Sequence, residues 1–309
     1  MNYRHAFHAG NFADVMKHVL LSRILLHLAR KPTPFRVIDT HAGIGLYDLA
    51  GEEAARTGEW RAGIGLMEEP FPPDVEALLA PWRAVLRAIR GRHGPSAYPG
   101  SPLVAREMLR PQDRAIFVEK HPEDHARLAA RLGRAANVKA LRLDGWLALG
   151  SFVPPKERRG LVLVDPPFEE ADEFSRCAAR LVRAQGRWPT GIYALWYPVK
   201  RAAEVEDFAA SLAAGLAARA GPAARAGLAA RAGLAARAGL AARAGLAAPV
   251  LRLELNMAPA DGTRLAGSGM MIVNPPWTLA EEAASLLPAL AGRLGGGSFR
   301  CEELAPKRA

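Results

Sequence analysis

Cysteine and long uncharged apolar runs are both scarce in this sequence of 309 residues. Its two cysteines, Cys177 and Cys301, lack the C-x-x-C spacing of a metal site and are too few for a disulfide framework. No uncharged apolar run approaches the roughly 20 residues that a membrane-spanning helix needs. The N-terminal MNYRHAFHAGNF carries charge but no apolar core, which argues against a signal peptide. We therefore expect a cytoplasmic protein.

Acidic residues are missing from one long segment, which accounts for half of the net charge of +10. Residues 217–248 read AARAGP, then AARAGL four times, with five arginines and no aromatic residue. Outside this repeat, 36 basic residues face 31 acidic ones, a net charge of +5. Each hexad turns a helix by about 600° and carries a glycine, so no apolar face forms. We expect a mobile or weakly helical expansion without a catalytic role, and charge alone is weak evidence for a nucleic-acid partner.

Strands and helices alternate after residue 34, which predicts an α/β protein with a doubly wound sheet. Several predicted strands are continuous apolar runs, as expected where helices cover both faces of a sheet. Amphipathic helices are predicted over 123–135, 170–185 and 278–292. The seven predicted strands are 35–40, 115–120, 138–144, 161–165, 192–197, 250–256 and 270–274.

The stretch between the first two predicted strands, residues 48–112, interrupts this alternation. A stripe of seven apolar side chains runs through it at helical spacing, which predicts a helical insertion at the sheet edge or over the cleft. The predicted organisation is therefore residues 1–47 with the first strand, an insertion subdomain at 48–112, and the rest of the main domain at 113–309. The repeat at 217–248 is a second insertion.

A glycine-rich turn follows the first predicted strand in DTHAGIGLYDL, residues 39–49. Gly43 and Gly45 let the backbone approach a ligand closely. The pattern lacks the G-x-G-x-x-G fingerprint of dinucleotide-binding proteins. D-x-x-x-G-x-G after a first strand suits S-adenosylmethionine better, although such a turn is as often purely structural.

The next two predicted strands also end in acidic residues, Glu119 and Asp144. A carboxylate at the first position suits the two ribose hydroxyls of a nucleoside, and one at the second suits an adenine amino group. Gly145 then leaves room for the ring. A single acid at a strand end is most often a turn residue, but three in succession converge on one crevice of such a sheet.

The fourth predicted strand runs into Asp165 in LVLVDPPF, residues 161–168. An exocyclic adenine nitrogen is a poor nucleophile because its lone pair is delocalised into the ring. A carboxylate and a backbone carbonyl that accept its two hydrogens would turn that lone pair towards an electrophile. Pro166 and its neighbour stiffen the turn, and Phe168 offers a ring for stacking on the base. This motif predicts methyl transfer to an adenine, helped mainly by positioning.

A second motif of the same shape, MIVNPPW at 271–277, competes for that role. Asn274 has an amide oxygen for an amino group but takes up neither a proton nor negative charge. It also lies on the last predicted strand, whereas Asp165 follows Asp144 with 20 residues between them. We therefore assign the chemistry to Asp165 and a structural role to Asn274, with Trp277 capping the core or lining the cleft.

Taken together, these motifs resemble the bacterial 23S rRNA adenine-N6 methyltransferase family. The resemblance covers the chain except the repeat, in matching order. It implies a class I, Rossmann-like methyltransferase fold with a seven-stranded sheet and a small helical insertion, S-adenosylmethionine as cofactor, and a monomer acting on 23S rRNA free of ribosomal proteins. The motifs that carry it are MNYRHAFHAGNFADVMKH, DTHAGIGLYDL, YPGSP, VEKHP, DG, LVLVDPPF, TGIYALWYPV and SGMMIVNPPW.

The resemblance also implies roles for individual residues. Asp165 is the proton acceptor within the catalytic DPPF motif, Tyr3 contacts the substrate RNA, and Lys17 is a weaker candidate than its neighbour His18. Phe168 replaces the commoner tyrosine of the motif, which leaves a ring face for stacking. The implied cofactor contacts are His18, His41, Ser101, Glu119, Asp144 and Gly145.

Plainer interpretations stay open for several of these residues. Ser101 precedes Pro102 and is typical of a helix N-cap. His18 and His41 fit an ordinary helix and loop histidine, and Tyr3 fits an unstructured tail. Two other functions also stay open: a methyltransferase for DNA adenine or a glutamine amide, and a non-catalytic RNA-binding scaffold.

Overall fold

A computed structural model describes residues 4–219, 247–262 and 264–304 of the chain. Tyr3, the predicted RNA contact, lies outside the described residues. So does most of the hexad repeat, residues 220–246. Within the described ranges, no helix combines the length and the apolarity needed to cross a membrane.

Ten strands and nine α-helices make up the described chain, and all seven predicted strands and the predicted helices are confirmed. The strands are β1 Arg36–Asp39, β2 Leu46–Asp48, β3 Ala97–Pro99, β4 Arg114–Glu119, β5 Val138–Arg142, β6 Gly160–Val164, β7 Ile192–Val199, β8 Val250–Asn256, β9 Gly267–Val273 and β10 Ser298–Leu304. The helices are α1 Phe12–Ala29, α2 Glu52–Thr57, α3 Pro73–His93, α4 Ser101–Met108, α5 Pro122–Leu132, α6 Gly145–Ser151, α7 Glu173–Arg187, α8 Ala202–Arg219 and α9 Leu279–Arg293.

The main sheet has eight strands in the order β10-β8-β9-β7-β6-β1-β4-β5, so the expectation of seven was wrong. The strand that the sequence pattern missed is β10, which pairs antiparallel with β8 at one margin of the sheet. Its sequence SFRCEEL stays partly exposed and lacks a continuous apolar run. The five strands from β7 to β5 in this order are parallel, whereas β9 runs antiparallel to both β7 and β8.

Helices cover both faces of the sheet, as a doubly wound arrangement requires. Along β1, Val37 points to a core shared with α1, α4, α5 and α9, while Ile38 points to a second core shared with α6, α7 and α8. The same alternation recurs in β6, where Leu163 belongs to the first core and Val164 to the second. This two-sided burial explains why the central strands are apolar throughout.

The predicted insertion contains α3, which packs against α1 and α9 rather than standing alone. Its apolar stripe is buried, with Trp82 at its centre, and it joins the same core as α1. The short strands β2 and β3 lie before and after α3 in the chain and pair antiparallel with each other. They form a small second sheet. The division at residues 48 and 112 stays a prediction, because α4 lies inside that range yet packs on β1 and β4.

Candidate active site

The functional crevice lies where the chain changes direction across the sheet. Strand β1 sits in the middle, with β4 and β5 added on one side and β6 and β7 on the other. Ligands of open α/β sheets bind at the carboxyl ends of the strands beside such a switch point. Carboxylates end or follow these strands in spatial order: Asp165 after β6, Asp39 in β1, Glu119 in β4 and Asp144 after β5.

The carboxylate of Asp165 contacts Lys17, which is a weaker site candidate than His18 on sequence grounds. Lys17 Nζ lies 2.7 Å from Asp165 Oδ2 and 2.9 Å from Asp14 Oδ1. Burial alone would lower the pKa of Lys17, but the two carboxylates hold it well above its usual value. The ammonium is therefore charged at any physiological pH and bridges α1 to the DPPF turn. The i, i+3 spacing of Asp14 and Lys17 was the only sequence signal for this contact.

Asp14 extends this contact to the N-terminal segment. Its Oδ2 accepts hydrogen bonds of 2.9 Å from Gly10 N and from His5 Nε2. Burial would raise the pKa of Asp14, yet the positive charges around it, chiefly His5 and Lys17, lower it well below the usual value. The segment predicted to meet RNA is thus joined to Asp165 through two buried charged residues. Its predicted RNA contact, Tyr3, is outside the described residues.

The DPPF turn has an unusual backbone at its aromatic residue. Phe168 has φ 49°, in the left-handed region that side-chain-bearing residues rarely adopt. Its half-buried ring lies 4.9 Å from the ring of Phe174 and 5.9 Å from that of Trp196, while Pro166 is buried. Lys17 Nζ lies 6.0 Å from the Trp196 ring. Trp196 thus lies between Phe168 and the Lys17 ammonium, and it is a candidate that the sequence analysis missed.

His18 lies on α1 and contacts Tyr98 of β3. Its Nδ1 shares a hydrogen bond of 2.9 Å with the Tyr98 hydroxyl, and its Nε2 is buried with no partner among the described residues. Burial lowers the pKa of His18 to about 3, so the ring is neutral. A buried ring nitrogen without a partner costs free energy unless a ligand satisfies it. This observation fits the predicted cofactor contact and does not fit a helix-surface histidine.

Ser101 does not cap its helix, contrary to the simpler interpretation. It is the first residue of α4, Gly100 is the N-cap, and the serine hydroxyl donates to Asp39 Oδ2 at 2.7 Å. Burial raises the pKa of Asp39 to about 7, the Ser101 hydrogen bond opposes that shift, and the Asp165 charge adds to it. The Asp165 carboxylate therefore acts on Asp39 across the switch point.

Glu119 closes the glycine turn at the end of β1. Its Oε2 accepts from Gly43 N at 3.0 Å, and its Oε1 accepts from His121 N at 2.7 Å. Gly43 has φ 62°, so a glycine suits this turn, and an added Cβ would meet the Tyr47 hydroxyl at 2.5 Å. Burial raises the pKa of Glu119. The carboxylate therefore faces the crevice with each oxygen already accepting one backbone hydrogen bond.

Asp144 caps α6 with its side chain. Its Oδ1 accepts from the backbone of Trp146, while its Oδ2 pairs with Lys120 at 3.0 Å. A Cβ on Gly145 would lie 2.3 Å from Thr40 O and 2.6 Å from His41 Nε2. The close approach of the β1 turn therefore requires a glycine at this position. The ligand contact of Gly145 that the sequence predicts stays a prediction.

His41 lies in that turn beside Trp146, with ring centroids 5.4 Å apart. Burial lowers its pKa to about 4, so the ring is neutral. The Thr40 hydroxyl donates to Leu163 O, which makes Nδ1 of His41 the donor to Thr40 and leaves Nε2 as the acceptor nitrogen. The structure therefore brings His41 to the same edge as Asp39, Asp144 and Asp165.

The competing NPPW motif lies at the opposite edge of the sheet. Because β9 runs antiparallel to β7, its last residue pairs with Tyr193 near the start of β7. Asn274 has φ 55° and donates from its buried amide to Pro189 O at 2.8 Å and Gly191 O at 2.7 Å. It ties a loop together, far from Asp165. Trp277 is 64% exposed, so the expectation that it caps the core was wrong.

A sequence model of the family described as "Ribosomal RNA large subunit methyltransferase D, RlmJ" matches residues 32–220 and 239–302. The unmatched stretch between them falls inside the hexad repeat. Two proteins named "Ribosomal RNA large subunit methyltransferase J" are each 34% identical to the chain. The one from Haemophilus influenzae aligns over 99% of this chain and 100% of its own length. The one from Escherichia coli K12 aligns over 95% and 94%.

A solved structure shows the same fold over nearly the whole chain. The crystal structure of a Legionella pneumophila protein, LPL1258, superposes with a TM-score of 0.77 and 30% sequence identity. The superposition covers 96% of this chain and 98% of that protein. The similarity therefore includes the insertion and the last three sheet strands as well as the parallel core.

Proposed function

The chain belongs to the family of large-subunit ribosomal RNA methyltransferases, and from that premise we propose its reaction and the residues that perform it. The reaction is the S-adenosylmethionine-dependent methylation of the exocyclic N6 of one adenine in 23S rRNA, on a class I methyltransferase fold. The observation that carries the proposal is the Lys17–Asp165 contact of 2.7 Å, at the turn after β6 and beside the switch point of the sheet.

The DPPF turn positions the adenine. The Asp165 carboxylate and a backbone carbonyl of the turn accept the two amino hydrogens, which directs the nitrogen lone pair out of the ring. The Phe168 ring stacks on the base, a contact worth about 1–3 kcal/mol, and Trp196 supports that ring edge-on at 5.9 Å. When bound, S-adenosylmethionine would supply an electrophilic methyl group to the nitrogen that these residues orient.

A proton leaves the methylated nitrogen, and Asp165 accepts it. Lys17 stays charged because Asp14 and Asp165 hold its pKa well above the usual value. Its ammonium is a fixed hydrogen-bond donor that orients Asp165 before the base arrives, so little reorganisation is needed during the reaction. Lys17 is thus a positioning residue for the proton acceptor.

The remaining strand-end residues are proposed to hold the cofactor. Glu119 meets the ribose hydroxyls, and Asp144 and Gly145 meet the adenine end. His41 and Ser101 lie nearer β1, and His18 meets the methionine end with its unpartnered Nε2. The acidic edge suits the positive charge of a sulfonium, and the buried His18 nitrogen suits a polar ligand group, so the residues present fit S-adenosylmethionine.

The test is methyl transfer in vitro to protein-free 23S rRNA, with digestion of the RNA and mass detection of N6-methyladenosine. DNA and a protein with an exposed glutamine serve as rival acceptors, and Asp165→Asn serves as the matched inactive variant. The expected result is one N6-methyladenosine per RNA with the wild-type protein alone. Labelling of DNA or protein in preference to RNA, or of no acceptor while RNA still binds, would refute the proposal.

Three further proposals follow from the substrate. We place the protein in the cytoplasm, where large-subunit RNA is made in bacteria, acting as a monomer on RNA free of ribosomal proteins. Light scattering of the enzyme, and methylation compared between naked 23S rRNA and assembled large subunits, test the last two points.

A further inference from the structure

The sheet edge opposite the active site is strongly basic. The four strands that end in or run into Asp39, Glu119, Asp144 and Asp165 all begin at this edge. Their first residues and the loops before them are rich in lysine and arginine. We call the ranges 30–36, 110–114, 137–139 and 156–159 the basic edge. The same strands thus carry cations at one end and carboxylates at the other.

The charge of the basic edge is large relative to the whole chain. Its four ranges hold nine lysines and arginines against two acidic residues, Asp113 and Glu157, a net charge of +7. The chain outside the hexad repeat has a net charge of +5, so everything else outside the repeat sums to −2. Both acids are already paired, Asp113 with Arg110 at 2.8 Å and Glu157 with Arg36 at 2.9 Å. The net charge of the chain outside the repeat is therefore small, although the basic edge itself is strongly positive.

Part of this surface is held rigidly. Arg110 and Arg159 both donate to Thr33 O, and both guanidinium groups lie over the Phe35 ring, at 5.5 and 6.0 Å. Arg110 also donates to Lys31 O at 2.7 Å. These contacts fix the loop before β1, so Lys31 and its neighbours project from a stiff frame. A preorganised cationic surface loses less entropy on binding than a mobile one.

The basic edge also has a recess suited to an anionic group. A cavity of about 440 Å³ opens there, and its lining includes Arg36, Arg114 and Lys139. The lining also includes Ile116 and the half-buried ring of Phe152. A lining of cations and apolar side chains suits a phosphate and the base or sugar next to it.

We propose that the basic edge is a second RNA-binding surface, which holds a part of the rRNA remote from the target adenine. The inference rests on the proposed function, since it takes 23S rRNA as the polyanion. The strands β1, β4, β5 and β6 are four to six residues long, so the two edges are separated by roughly 13–20 Å at about 3.3 Å per residue. An RNA that binds at Asp165 must extend past the sheet to reach the basic edge, which a large rRNA domain does more readily than a hairpin of a few base pairs.

Two exposed lysines give a clean test. Lys139 and Lys156 are both exposed in different ranges of the basic edge, and neither is in the active site. The variant Lys139→Glu/Lys156→Glu changes the net charge by −4. The variant Arg180→Glu/Arg183→Glu makes the same change on two exposed residues of α7, outside the four ranges of the basic edge. Comparing the pair separates the location of charge from its total amount.

Binding is measured by fluorescence anisotropy over a range of salt concentrations, with a long 23S rRNA domain and with a short hairpin around the target adenine. Each lost phosphate contact lowers the salt slope by about 0.7–0.9. We expect the lysine variant to lower the slope for the long RNA by about 1.5–2, with an affinity loss of roughly tenfold or more at low salt. Its hairpin binding, turnover at saturating RNA and melting temperature should match those of the wild type.

Three results would overturn the inference. One is an unchanged salt slope for the long RNA with the lysine variant. Another is an equal loss in the α7 variant, which would make the effect one of net charge. The third is lysine-dependent binding to vesicles containing anionic phospholipid without any effect on RNA. The binding test does not depend on methyl transfer. If the wild type binds RNA without methylating it, the proposed function fails but the two variants can still be compared.

Discussion

The ammonium of Lys17 donates a hydrogen bond of 2.7 Å to Oδ2 of Asp165, across 148 residues of sequence. Asp14 is its other partner, so one buried cation balances two carboxylates. Removing one member of a buried ionic group leaves an uncompensated charge and costs about 3–5 kcal/mol. We expect Lys17→Met to lower the free energy of unfolding by about that amount in urea titrations and to abolish methyl transfer.

The double variant Lys17→Met/Asp165→Asn is the control for this prediction. It removes one of the two stranded charges, so it should unfold at a higher urea concentration than Lys17→Met alone while staying inactive. Equal stability of Lys17→Met and the wild type would show that the contact is not formed in solution.

Asp165 and Asn274 head motifs of the same shape, but they should respond differently to truncation. Asp165→Ala should abolish methyl transfer while calorimetry finds S-adenosylmethionine affinity nearly intact, because the carboxylate serves the amino group. Asn274→Ala should keep activity per folded molecule yet lose about 1–3 kcal/mol of stability, because the carbonyls of Pro189 and the buried Gly191 lose their donor. An inactive Asn274→Ala together with an active Asp165→Ala would reverse our assignment of the two motifs.

Most of the main sheet was predictable from sequence, including β5 at one margin, but β10 at the other margin was not. β6 reads as a continuous apolar run because helices cover it on both sides. β10 was missed because its sequence SFRCEEL carries three charged residues and stays partly exposed. The sequence also did not predict that β9 runs antiparallel to β7. That direction places Asn274 at the edge of the sheet opposite Asp165.

The candidate site was predictable as a set of strand-end acids, but its internal contacts were not. Periodicity and turn residues report on neighbours along the chain, whereas Lys17 meets Asp165 only through the packing of α1 on the sheet. Ser101 shows the same limit, since its position before a proline predicted a cap and the fold directs its hydroxyl to Asp39.

Asp39 should make stability depend on pH between about 4 and 7. Burial raises the pKa of Asp39 to about 7, against about 3.9 in an unfolded chain. Between these values the folded protein keeps a proton that the unfolded chain releases, so this group's contribution to stability falls as pH rises and is constant above pH 7. The total change is at most about 4 kcal/mol, at 1.36 kcal/mol per pKa unit.

The variant Asp39→Asn isolates this effect. It stays neutral, so its free energy of unfolding minus that of the wild type should grow from pH 5 to pH 7 and then level off. His18 and His41 contribute with the opposite sign, because their lowered pKa values destabilise the folded protein as pH falls below about 6.5. Both histidines are present in both proteins, so their contributions cancel in the difference. A difference independent of pH would place the Asp39 titration outside this range.

Glu119 should contribute strongly to cofactor affinity. Hydrogen bonds to a charged acceptor are worth about 1.5–3 kcal/mol, so Glu119→Ala should weaken S-adenosylmethionine binding about 10- to 100-fold in calorimetry. Asp207→Ala, an exposed acidic residue on α8, is the control for a lost negative charge. Unchanged affinity in Glu119→Ala would remove this residue from the cofactor site.

The hexad repeat should be dispensable for catalysis. The family model leaves out residues 221–238, and deleting that stretch removes three whole hexads and three arginines without changing the register of the rest. The repeat has no aromatic residue for stacking bases, so any contribution to RNA binding is electrostatic and independent of sequence. We expect unchanged turnover at saturating RNA, unchanged cofactor affinity and the same modified adenine.

RNA affinity should fall modestly at low salt, with a salt slope lower by at most about 2, or roughly 0.7 for each of three phosphate contacts on a single strand. The difference from the wild type should vanish as salt rises. Loss of turnover at saturating RNA would instead make the repeat part of the catalytic structure.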